Sequence, residues 1–397
     1  MAEVKEQTHL QVIDKVLHEI AEDAQQRRSD NSNSRPYHAM NLIRQYKLGA
    51  LQLPIAQGGK GYDIRQLFQF IVRLAEADSD VAHILRAHYG YVGQLLRENM
   101  DGQHNGLLAR IAAGMIIGNA MTEISSHQVG GLVFNTKLTA DEQDYRLNGV
   151  KYFSTGTLYA DLVVVTASDV EENPVAVIIP TNRSGITIED DWDGIGQQLT
   201  GSGTTKFHDV IVSKNEVLKK LEGKTPFNAF PQLYLQAIVV GILKNIVNDS
   251  VALIQSRKRT FSFAAAELPK QDPQLLQIIG ELSSVSFAAQ SMLLAAADTL
   301  NQANEAVQNG TIPYELSHQA SLVTAQSKVI IDELALRAAT KLFDVGGASA
   351  TRKSAFLDRH WRNIRTLVSH NPAVYKARAI GDYEVNNKQL PIKEVYF

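Results

Sequence analysis

The segment DYRLNGVKYFSTGTLYADLVVVTA, residues 144–167, sets the organisation that we predict for this chain. It contains two short runs rich in β-branched and aromatic residues, separated by Gly and Thr residues typical of turns. Similar runs lie on both sides of it, from about Asn119 to Val217. The sequence before and after this region has helical periodicity instead. We therefore predict a mostly α protein with a central β domain.

Turn-forming residues divide the central region into short strands. Asp141–Asp144 and Asn148-Gly149 have the composition of turns. Several short strands at this spacing are typical of a small barrel or sandwich. The predicted strands are Leu132–Leu138, Tyr145–Phe153, Leu162–Ala167, Val175–Ile179 and Thr204–Val212.

Both flanking regions are predicted to be helical, and the long apolar stripes of the second are typical of an antiparallel bundle. A polar break at Ser29–Pro36 separates the first two helices, and Gly346-Gly347 ends the last long stripe. The last 25 residues are predicted to be mostly irregular. Helices are predicted at Leu10–Ala21, Tyr37–Lys47, Arg65–Ala77, Val81–Arg97, Asn105–Gly114, Leu275–Met292 and Pro313–Leu342. The domains are then residues 1–117, 118–217 and 218–397.

Composition narrows the classes of function. The chain has 397 residues, 44% of them hydrophobic and 20% charged, with a net charge of −3. A basic patch for nucleic acid is not expected from this balance. The absence of cysteine excludes disulfides, thiolate catalysis and cysteine-ligated metals. The polar N-terminus and the lack of an apolar run of 18 residues predict neither a secretory signal nor a membrane span, so we expect a bacterial cytoplasmic protein.

Several common catalytic motifs fail on inspection. Gly201–Lys206 is superficially like a phosphate-binding loop, but it precedes a strand and lacks Gly-Lys-Ser/Thr. His83 and His88 are five residues apart, which is poor spacing for one helix face, and no H-E-x-x-H occurs. No G-x-S-x-G surrounds Ser125 and Ser126. Metal, nucleoside-triphosphate and serine-hydrolase chemistry are therefore disfavoured.

Local strings in a helix–β–helix order resemble the acyl-CoA dehydrogenases over roughly residues 37–375. The resemblance implies an N-terminal helical domain, a small β-barrel and a C-terminal four-helix bundle. The strings that carry it are Leu53-Pro54 with Gly58–Gly61, Leu74–Asp78 with His88, Ala120–Glu123, Asn148-Gly149 with Lys151–Gly156, Arg257–Phe261 and Phe343–Gly347.

A more specific resemblance is to the dibenzothiophene monooxygenase group of that superfamily. Its strongest element is the Trp-Arg-Asn-x-Arg-Thr stretch that ends in His-x-Pro. The strings are Gly118–Ala120 with Glu123 and His127, Asp191–Gly196, Asp358–Thr366 and His370–Pro372. The resemblance implies the chemistry of this group, whose members take reduced FMN from a separate reductase and use O2 to oxygenate sulfur or aromatic compounds. The oxygenating species is a C4a-hydroperoxyflavin. The resemblance also implies a homotetramer.

A dehydrogenase of this superfamily needs a carboxylate base to remove a substrate proton. The position that the resemblance assigns to it, several residues after Gly346-Gly347, holds Arg352, Lys353 and Ser354. The alternative position near Gln255–Arg257 also lacks a carboxylate. A cation cannot act as base near neutral pH unless its pKa falls by several units. Monooxygenation is therefore favoured over dehydrogenation.

A monooxygenase needs a proton donor near the reacting oxygen. The resemblance places His370 at the active-site histidine, and His88 is a second candidate, since both can exchange protons near pH 7. The group carries another histidine where this chain has Leu367. This departure is expected to change the pocket wall and hence the substrate.

Further residues are assigned to the flavin by the same resemblance. Arg259 would pair with a flavin phosphate, across a subunit boundary, and Ser349 matches a position near the flavin. Three of the assigned residues have a structural alternative. His370 would then cap a helix, His88 would be a packed helix residue, and Arg259 would belong to a solvated charge cluster. Glu123 is interpreted as a structural hydrogen-bond partner. The isoalloxazine contacts are assigned to Asn119, Thr122 and Thr155 as hydrogen-bonding groups and to Phe153 and Trp192 as aromatic walls.

The sequence leaves three functions open. The first is a monooxygenase supplied with reduced FMN by a reductase. The second is an FAD-dependent acyl-CoA dehydrogenase with a displaced base. The third is a non-catalytic flavin-binding homologue.

Overall fold

The structure, a computed structural model, describes residues 2–30, 34–99, 102–124, 131–218, 228–309, 314–392, 394 and 397, with side chains from residue 9 onward. Its element order confirms the predicted succession of helices, strands and helices. The N-terminal helices are α1 (Ala2–Ser29), α2 (Tyr37–Gln45), α3 (Ile64–Ala77), α4 (Ser79–Ile84), α5 (Arg86–Glu98) and α6 (Asn105–Ala112). The C-terminal helices are α7 (Ala229–Ser256), α8 (Pro273–Gln308), α9 (Tyr314–Gly346), α10 (Asp358–Val368) and α11 (Ala373–Asn386).

Two helical predictions need correction. The helix predicted at Val81–Arg97 is divided at Leu85 into α4 and α5, and α4 begins where the Asp78 side chain accepts hydrogen bonds from two backbone N–H groups. The last 25 residues were expected to be irregular but include α11. Its apolar contacts are few, since Ile380 and Tyr383 pack with Leu322 of α9, and a stripe that short is hard to detect in sequence.

The central region is one mixed eight-stranded sheet. Its strand path is β6-β7-β3-β2-β4-β5-β8, and β1 pairs in parallel with β4. The strands enclose a core of their own, which includes Leu147, Val163 and Val210. The strands are β1 (Ile117–Ala120), β2 (Lys137–Asp141), β3 (Asp144–Lys151), β4 (Leu162–Ser168), β5 (Pro174–Pro180), β6 (Ile186–Ile188), β7 (Thr205–Val212) and β8 (Val217–Leu218).

The strand predictions were wrong at two places. The strand expected at Leu132–Leu138 begins only at Lys137. Asn148-Gly149 is not a turn between strands but a bulge inside β3, where the register with β7 shifts. Gly149 has φ 155°, and a Cβ there would lie 2.4 Å from the Thr136 hydroxyl, so only glycine fits.

The two helical regions share one core, with α7 at its centre. Residues of α3 such as Phe68 pack against Phe230 and Tyr234 of α7. Among the described residues, α7 and α8 are long and apolar enough to cross a membrane. This is weak evidence for a membrane span, because a buried bundle helix such as α7 has the same length and composition. α8 is more exposed, and Leu276 and Phe287 on it are 51% and 76% exposed.

A buried ion pair fixes the start of the β domain. Lys151 is fully buried in β3, and its ammonium donates to Glu123 at 2.7 Å. The Glu123 carboxylate also accepts from the backbone N–H groups of Asn135 and Thr136. Burial lowers the pKa of Lys151, and the hydrogen bond that Lys151 donates to Glu123 opposes that effect. Glu123 therefore has the structural role that the sequence favoured.

Glu123→Gln should destabilise the protein by about 3–5 kcal/mol, because it leaves a buried ammonium without its counter-charge. The free energy of unfolding in urea measures this change. Glu189→Gln removes half of an exposed pair with Lys206 and should cost less than about 1 kcal/mol. Equal costs for the two variants would contradict the importance of the buried pair.

Candidate active site

Two aromatic side chains predicted to contact a ligand meet at the end of β3. The rings of Phe153 and Trp192 lie edge to face, 5.9 Å between centroids and 89° between planes. Phe153 has a left-handed backbone (φ 55°) and is 50% exposed. A left-handed phenylalanine is strained, and its exposed ring gains little from burial. This arrangement suits a face that packs against a flat ligand.

Polar groups lie beside this aromatic face. Asn119 on β1 donates its side-chain amide to the Thr155 carbonyl at 3.0 Å, and its own carbonyl accepts from the Thr157 hydroxyl at 2.7 Å. Thr122 forms a bridge with Tyr152 through its backbone carbonyl. The structure thus brings together five of the predicted flavin contacts: Asn119, Thr122, Phe153, Thr155 and Trp192. His127 lies outside the described residues.

A chain of hydroxyl groups leads from these residues towards the helices. The Thr155 and Ser202 hydroxyls are 2.7 Å apart, as are those of Ser202 and Thr200. The Thr200 hydroxyl donates to the backbone carbonyl of Gln197 at 2.8 Å. Because each hydroxyl can both donate and accept, the chain can transmit a change in proton position along its length.

Gln197 joins the sheet to both helical regions. It is buried and has a strained left-handed backbone (φ 52°). Its side-chain oxygen lies 3.1 Å from Nδ1 of His83 in α4, and its side-chain nitrogen donates to the Ser79 hydroxyl. Its backbone N–H donates to Asn363 of α10 at 2.8 Å. One residue, through its side chain and its backbone, therefore links α4, α10 and the hydroxyl chain.

His370 lies beside Arg86 just after α10. The Arg86 guanidinium nitrogen Nη1 is 3.2 Å from His370 Nε2. A guanidinium can only donate, so Nε2 accepts and the ring proton lies on Nδ1. Burial among protein atoms, with further contributions from Arg86, His83 and Lys328, holds the pKa of His370 well below the ordinary value. His370 is therefore neutral near pH 7.

The segment that carries His370 is anchored in the core. Lys328 of α9 is buried, pairs with Asp332 at 2.7 Å and lies 3.4 Å from the Val368 carbonyl. Asn371 donates to Gln232 of α7. Leu367 is 1% exposed and belongs to the main core. Leu367 is therefore a core residue, and its effect on the pocket wall stays a prediction.

His88 does not lie in this cleft with His370. It is fully buried, with Nε2 at 2.9 Å from the Gly49 carbonyl, and Nδ1 accepts from the Ile117 backbone N–H at 3.2 Å. Burial lowers its pKa to about 4. Both ring nitrogens are thus committed to the backbone, which favours the interpretation of His88 as a packed helix residue over the catalytic one.

Arg259 and Ser349 lie at the other end of the bundle. Both are exposed, and their segments meet where Arg257 donates to the Val345 carbonyl at 2.6 Å. Val345 is 17 residues beyond Lys328 on α9, a rise of about 25 Å. Within one chain, therefore, these two residues are far from the cleft that holds His370.

Sequence inspection missed the roles of His83, Arg86 and Gln197. The sequence analysis considered His83 only as a metal ligand together with His88. In the structure, the charged residue that acts on His83 is Arg86, three residues later. Burial lowers the pKa of His83 to about 3, with a further contribution from Arg86, so this ring is also neutral. The break at Leu85 lies between these two residues, so helical spacing gave no signal for the pair. No local signal identifies Gln197, because its contacts are distant in sequence.

Two family models match the chain: the middle domain of acyl-CoA dehydrogenase at residues 118–210 and its C-terminal domain at residues 233–374. The dibenzothiophene monooxygenase of Mycolicibacterium goodii is 29% identical over 366 residues, covering 88% of this chain and 87% of that protein. The probable FMNH2-dependent monooxygenase SfnC of Pseudomonas putida is 26% identical and covers 91% of each chain. The solved structure of methanesulfinate monooxygenase MsuC from Pseudomonas fluorescens is 26% identical, with a TM-score of 0.87 over 98% of this chain and 99% of that one.

The pH dependence of stability tests the assignment of His88. Its folded-state pKa of about 4 lies below the unfolded value of about 6.5, so the unfolded chain binds more protons in between. Neutral His88 thus contributes fully to the free energy of unfolding above about pH 6.5. That contribution decreases as the pH falls and is about 2 kcal/mol smaller at pH 5. His88→Gln, which can still accept and donate, should lose less stability between pH 7 and pH 5 than the unchanged protein, as measured by urea unfolding.

The exposed His18→Gln serves as the control for this experiment. It should keep the full pH dependence, since no folded-state contact buries that ring. An unchanged pH dependence in His88→Gln would show that His88 is not held neutral.

Proposed function

Because this chain belongs to the acyl-CoA dehydrogenase superfamily, we propose that it is a flavin-dependent monooxygenase. It takes reduced FMN from a separate reductase and uses O2 to oxygenate a small organosulfur or aromatic molecule. The names of its relatives support this proposal, since they include a dibenzothiophene monooxygenase and a probable FMNH2-dependent monooxygenase. The observation that carries it here is the group of predicted flavin contacts at the end of β3, where the strained Phe153 meets Trp192 and lies beside Asn119 and Thr155.

The residues of the cleft fit an FMN ring. The edge-to-face pair of Phe153 and Trp192 provides an apolar wall, and Asn119 and Thr155 lie beside it at hydrogen-bonding distance from each other. A flat heteroaromatic ring with polar edges matches that combination. When bound in its reduced form, FMN supplies the two electrons that make one atom of O2 transferable to a substrate.

The contribution of His370 follows from its tautomer. Because Arg86 donates to Nε2, the imidazole presents its N–H at Nδ1. A neutral imidazole held in one orientation can donate this hydrogen bond to an oxygen and can accept a proton only at a cost. His370 therefore acts best by orienting and stabilising the departing oxygen.

The acyl-CoA dehydrogenase alternative lacks its base in the structure as well. Arg352, Lys353 and Ser354 are exposed near the far end of α9. The position that the resemblance assigns to the dehydrogenase base thus holds an arginine, a lysine and a serine, which supports monooxygenation over dehydrogenation.

The remote position of Arg259 and Ser349 supports the proposal of a homotetramer in which one subunit completes the flavin site of another. Phe261, Phe263 and Phe287 are exposed by 63%, 86% and 76%, and α8 exposes further apolar residues. Apolar area of this kind marks protein interfaces. We also propose that the enzyme is cytoplasmic, together with the reductase that supplies its flavin.

Oxygen transfer is the direct test of the proposed function. With reduced FMN regenerated by a flavin reductase and 18O-labelled O2, a mass spectrum of the product should show one labelled atom per molecule. His370→Ala should lower the product formed per reduced flavin consumed by about tenfold or more, with the balance released as hydrogen peroxide. The exposed His208→Ala should be unchanged. Label found only in peroxide with every organosulfur and aromatic substrate would reject the function.

Arg259→Ala should weaken FMN binding about tenfold to a hundredfold, because it removes a charge-assisted contact with the phosphate. Flavin fluorescence measures the affinity. Lys258→Ala, which removes a neighbouring exposed charge, is the matched control and should change the affinity little. Since the contact crosses subunits, the affinity of the unchanged protein should also fall on dilution below the tetramer's dissociation constant. An affinity independent of both Arg259 and dilution would reject the shared site.

A further inference from the structure

A cavity of about 190 Å³ lies apart from the proposed active site, and its described lining contains neither Phe153 nor His370. A single water needs roughly 10–15 Å³, so this volume can hold a small molecule. The lining comes from the end of α1, the junction of α3 and α4, the middle of α7, the start of α10 and the β-domain loop residues Gln198 and Leu199. Five segments that are distant in sequence therefore meet around one space, which we call the Arg28 cavity.

Arginines dominate the charge of the Arg28 cavity. Four of them line it, and three have a carboxylate partner. Among the other lining residues, Glu76 pairs with Lys244. These charges are therefore balanced before any ligand binds. The three arginine ion pairs are Arg27 with Asp78, Arg359 with Asp249 and Arg362 with Asp358.

Arg28, in the last turn of α1, is the fourth arginine. It is half-buried, and no described residue forms a hydrogen bond or an ion pair with its guanidinium. Burial, with a further contribution from Arg359, lowers the pKa of Arg28 to about 10, so the group stays charged near pH 7. A charge that is removed from water without a partner is costly. The cavity therefore has one cation whose charge an anionic ligand would balance.

The position of Arg28 offers a structural alternative, because a cation near the C-terminus of a helix stabilises it through the helix dipole. That effect needs no burial, so an exposed cation in the same turn would serve equally well. Arg27 already occupies this turn and is held there by Asp23 and Asp78. The dipole thus accounts for a basic residue at position 28, but not for its unpaired placement in a cavity.

One carboxyl group of the lining has no cationic partner and must be compatible with an anion. Asp80 accepts a hydrogen bond from the Leu199 backbone N–H at 3.0 Å. Burial and then the charge of Asp78 raise the pKa of Asp80 to about 7, against the opposing effects of Arg27 and Arg35. A protonated carboxyl donates a hydrogen bond. Asp80 can therefore contact an anion in its neutral form.

The origin of the polar groups indicates which anion fits. Arg28 belongs to α1, whereas Ser79 and Asn363 line the same cavity from α4 and α10. A planar carboxylate offers its lone pairs in one plane, but a tetrahedral phosphate offers oxygens in several directions. A guanidinium also binds phosphate oxygens in pairs, through charge-assisted hydrogen bonds about twice as strong as neutral ones. A phosphate group therefore matches donors that come from different segments.

We propose that the Arg28 cavity binds a phosphate group and that Arg28 is its main contact. The phosphate comes from inorganic phosphate or from a nucleotide, since both present the same oxygens. Ser79 and Asn363 of the lining also contact Gln197, so the bound group lies behind the residue that links α4 to α10. This site is separate from Arg259, to which the flavin phosphate is assigned.

Isothermal titration calorimetry with inorganic phosphate tests the proposal. The titrations use the Arg259→Ala background, so that the site assigned to the flavin phosphate does not contribute. In that background, Arg28→Gln should weaken phosphate binding about tenfold to a hundredfold, because it removes a charge-assisted contact. Arg110→Gln is the matched control, since it removes an exposed arginine that has no ion pair among the described residues, and it should change the affinity little.

Adenosine monophosphate and acetate, titrated in the same way, identify the class of ligand. Tighter binding of the nucleotide than of inorganic phosphate supports a nucleotide as the source, and equal or weaker binding supports free phosphate. Acetate should bind at least about tenfold more weakly than phosphate, because it carries less charge and only two oxygens. Acetate binding as tight as that of phosphate would overturn the assignment to a phosphate group.

Asp80→Asn is a second variant, which leaves Arg28 unchanged. Its amide oxygen can still accept from Leu199, but the negative charge beside the proposed phosphate is gone. At pH 8, above the pKa of Asp80, this variant should bind phosphate about threefold to tenfold more tightly than the protein that retains Asp80. Asp14→Asn removes an exposed carboxylate elsewhere on α1 and should have no such effect.

The proposal is overturned if phosphate does not bind at millimolar concentration, if its affinity is the same with and without the Arg28 guanidinium, or if Asp80→Asn leaves it unchanged at pH 8. None of these measurements involves oxygen transfer. Failure of the phosphate site therefore leaves the proposed monooxygenase function intact, and failure of that function leaves the phosphate site intact.

Discussion

The side-chain amide of Gln197 is the contact on which the arrangement of the cleft depends. It lies in a loop of the β domain, between β6 and β7, yet it binds His83 of α4 and Ser79 at the start of that helix, while its backbone binds Asn363 of α10. Three regions with separate sequence signatures thus meet at one buried residue. Its left-handed backbone shows that the surrounding contacts outweigh a local conformational cost.

Neutral histidines are the electrostatic consequence of this packing. His83 and His88 are buried, and burial disfavours their charged forms, while the guanidinium of Arg86 acts in the same direction on His83 and His370. These neutral histidines therefore have fixed tautomers and act as hydrogen-bond donors, not as groups that gain and lose protons. Such donors stabilise a developing charge without having to be titrated first.

Periodicity predicted the helix–β–helix order, since long apolar stripes and short β-branched runs are distinct patterns. It failed where tertiary contacts decide the outcome. Gly149 was taken as a turn residue because its neighbours suit a turn, but the close approach of Thr136 makes it a bulge. The residues around Phe153 and Trp192 were found by resemblance, and the structure brings them together. His88 was chosen by residue type alone, and its two backbone contacts have no local sequence signal.

The break between α4 and α5 sets the position of Arg86 beside His370. Asp78 starts α4 at a position fixed by an ion pair with Arg27, and the helix ends after six residues at Ile84. α5 then begins at Arg86, whose guanidinium contacts both the Pro231 carbonyl and His370. The position of His370 thus depends on the helix boundaries of the N-terminal region as well as on its own segment after α10.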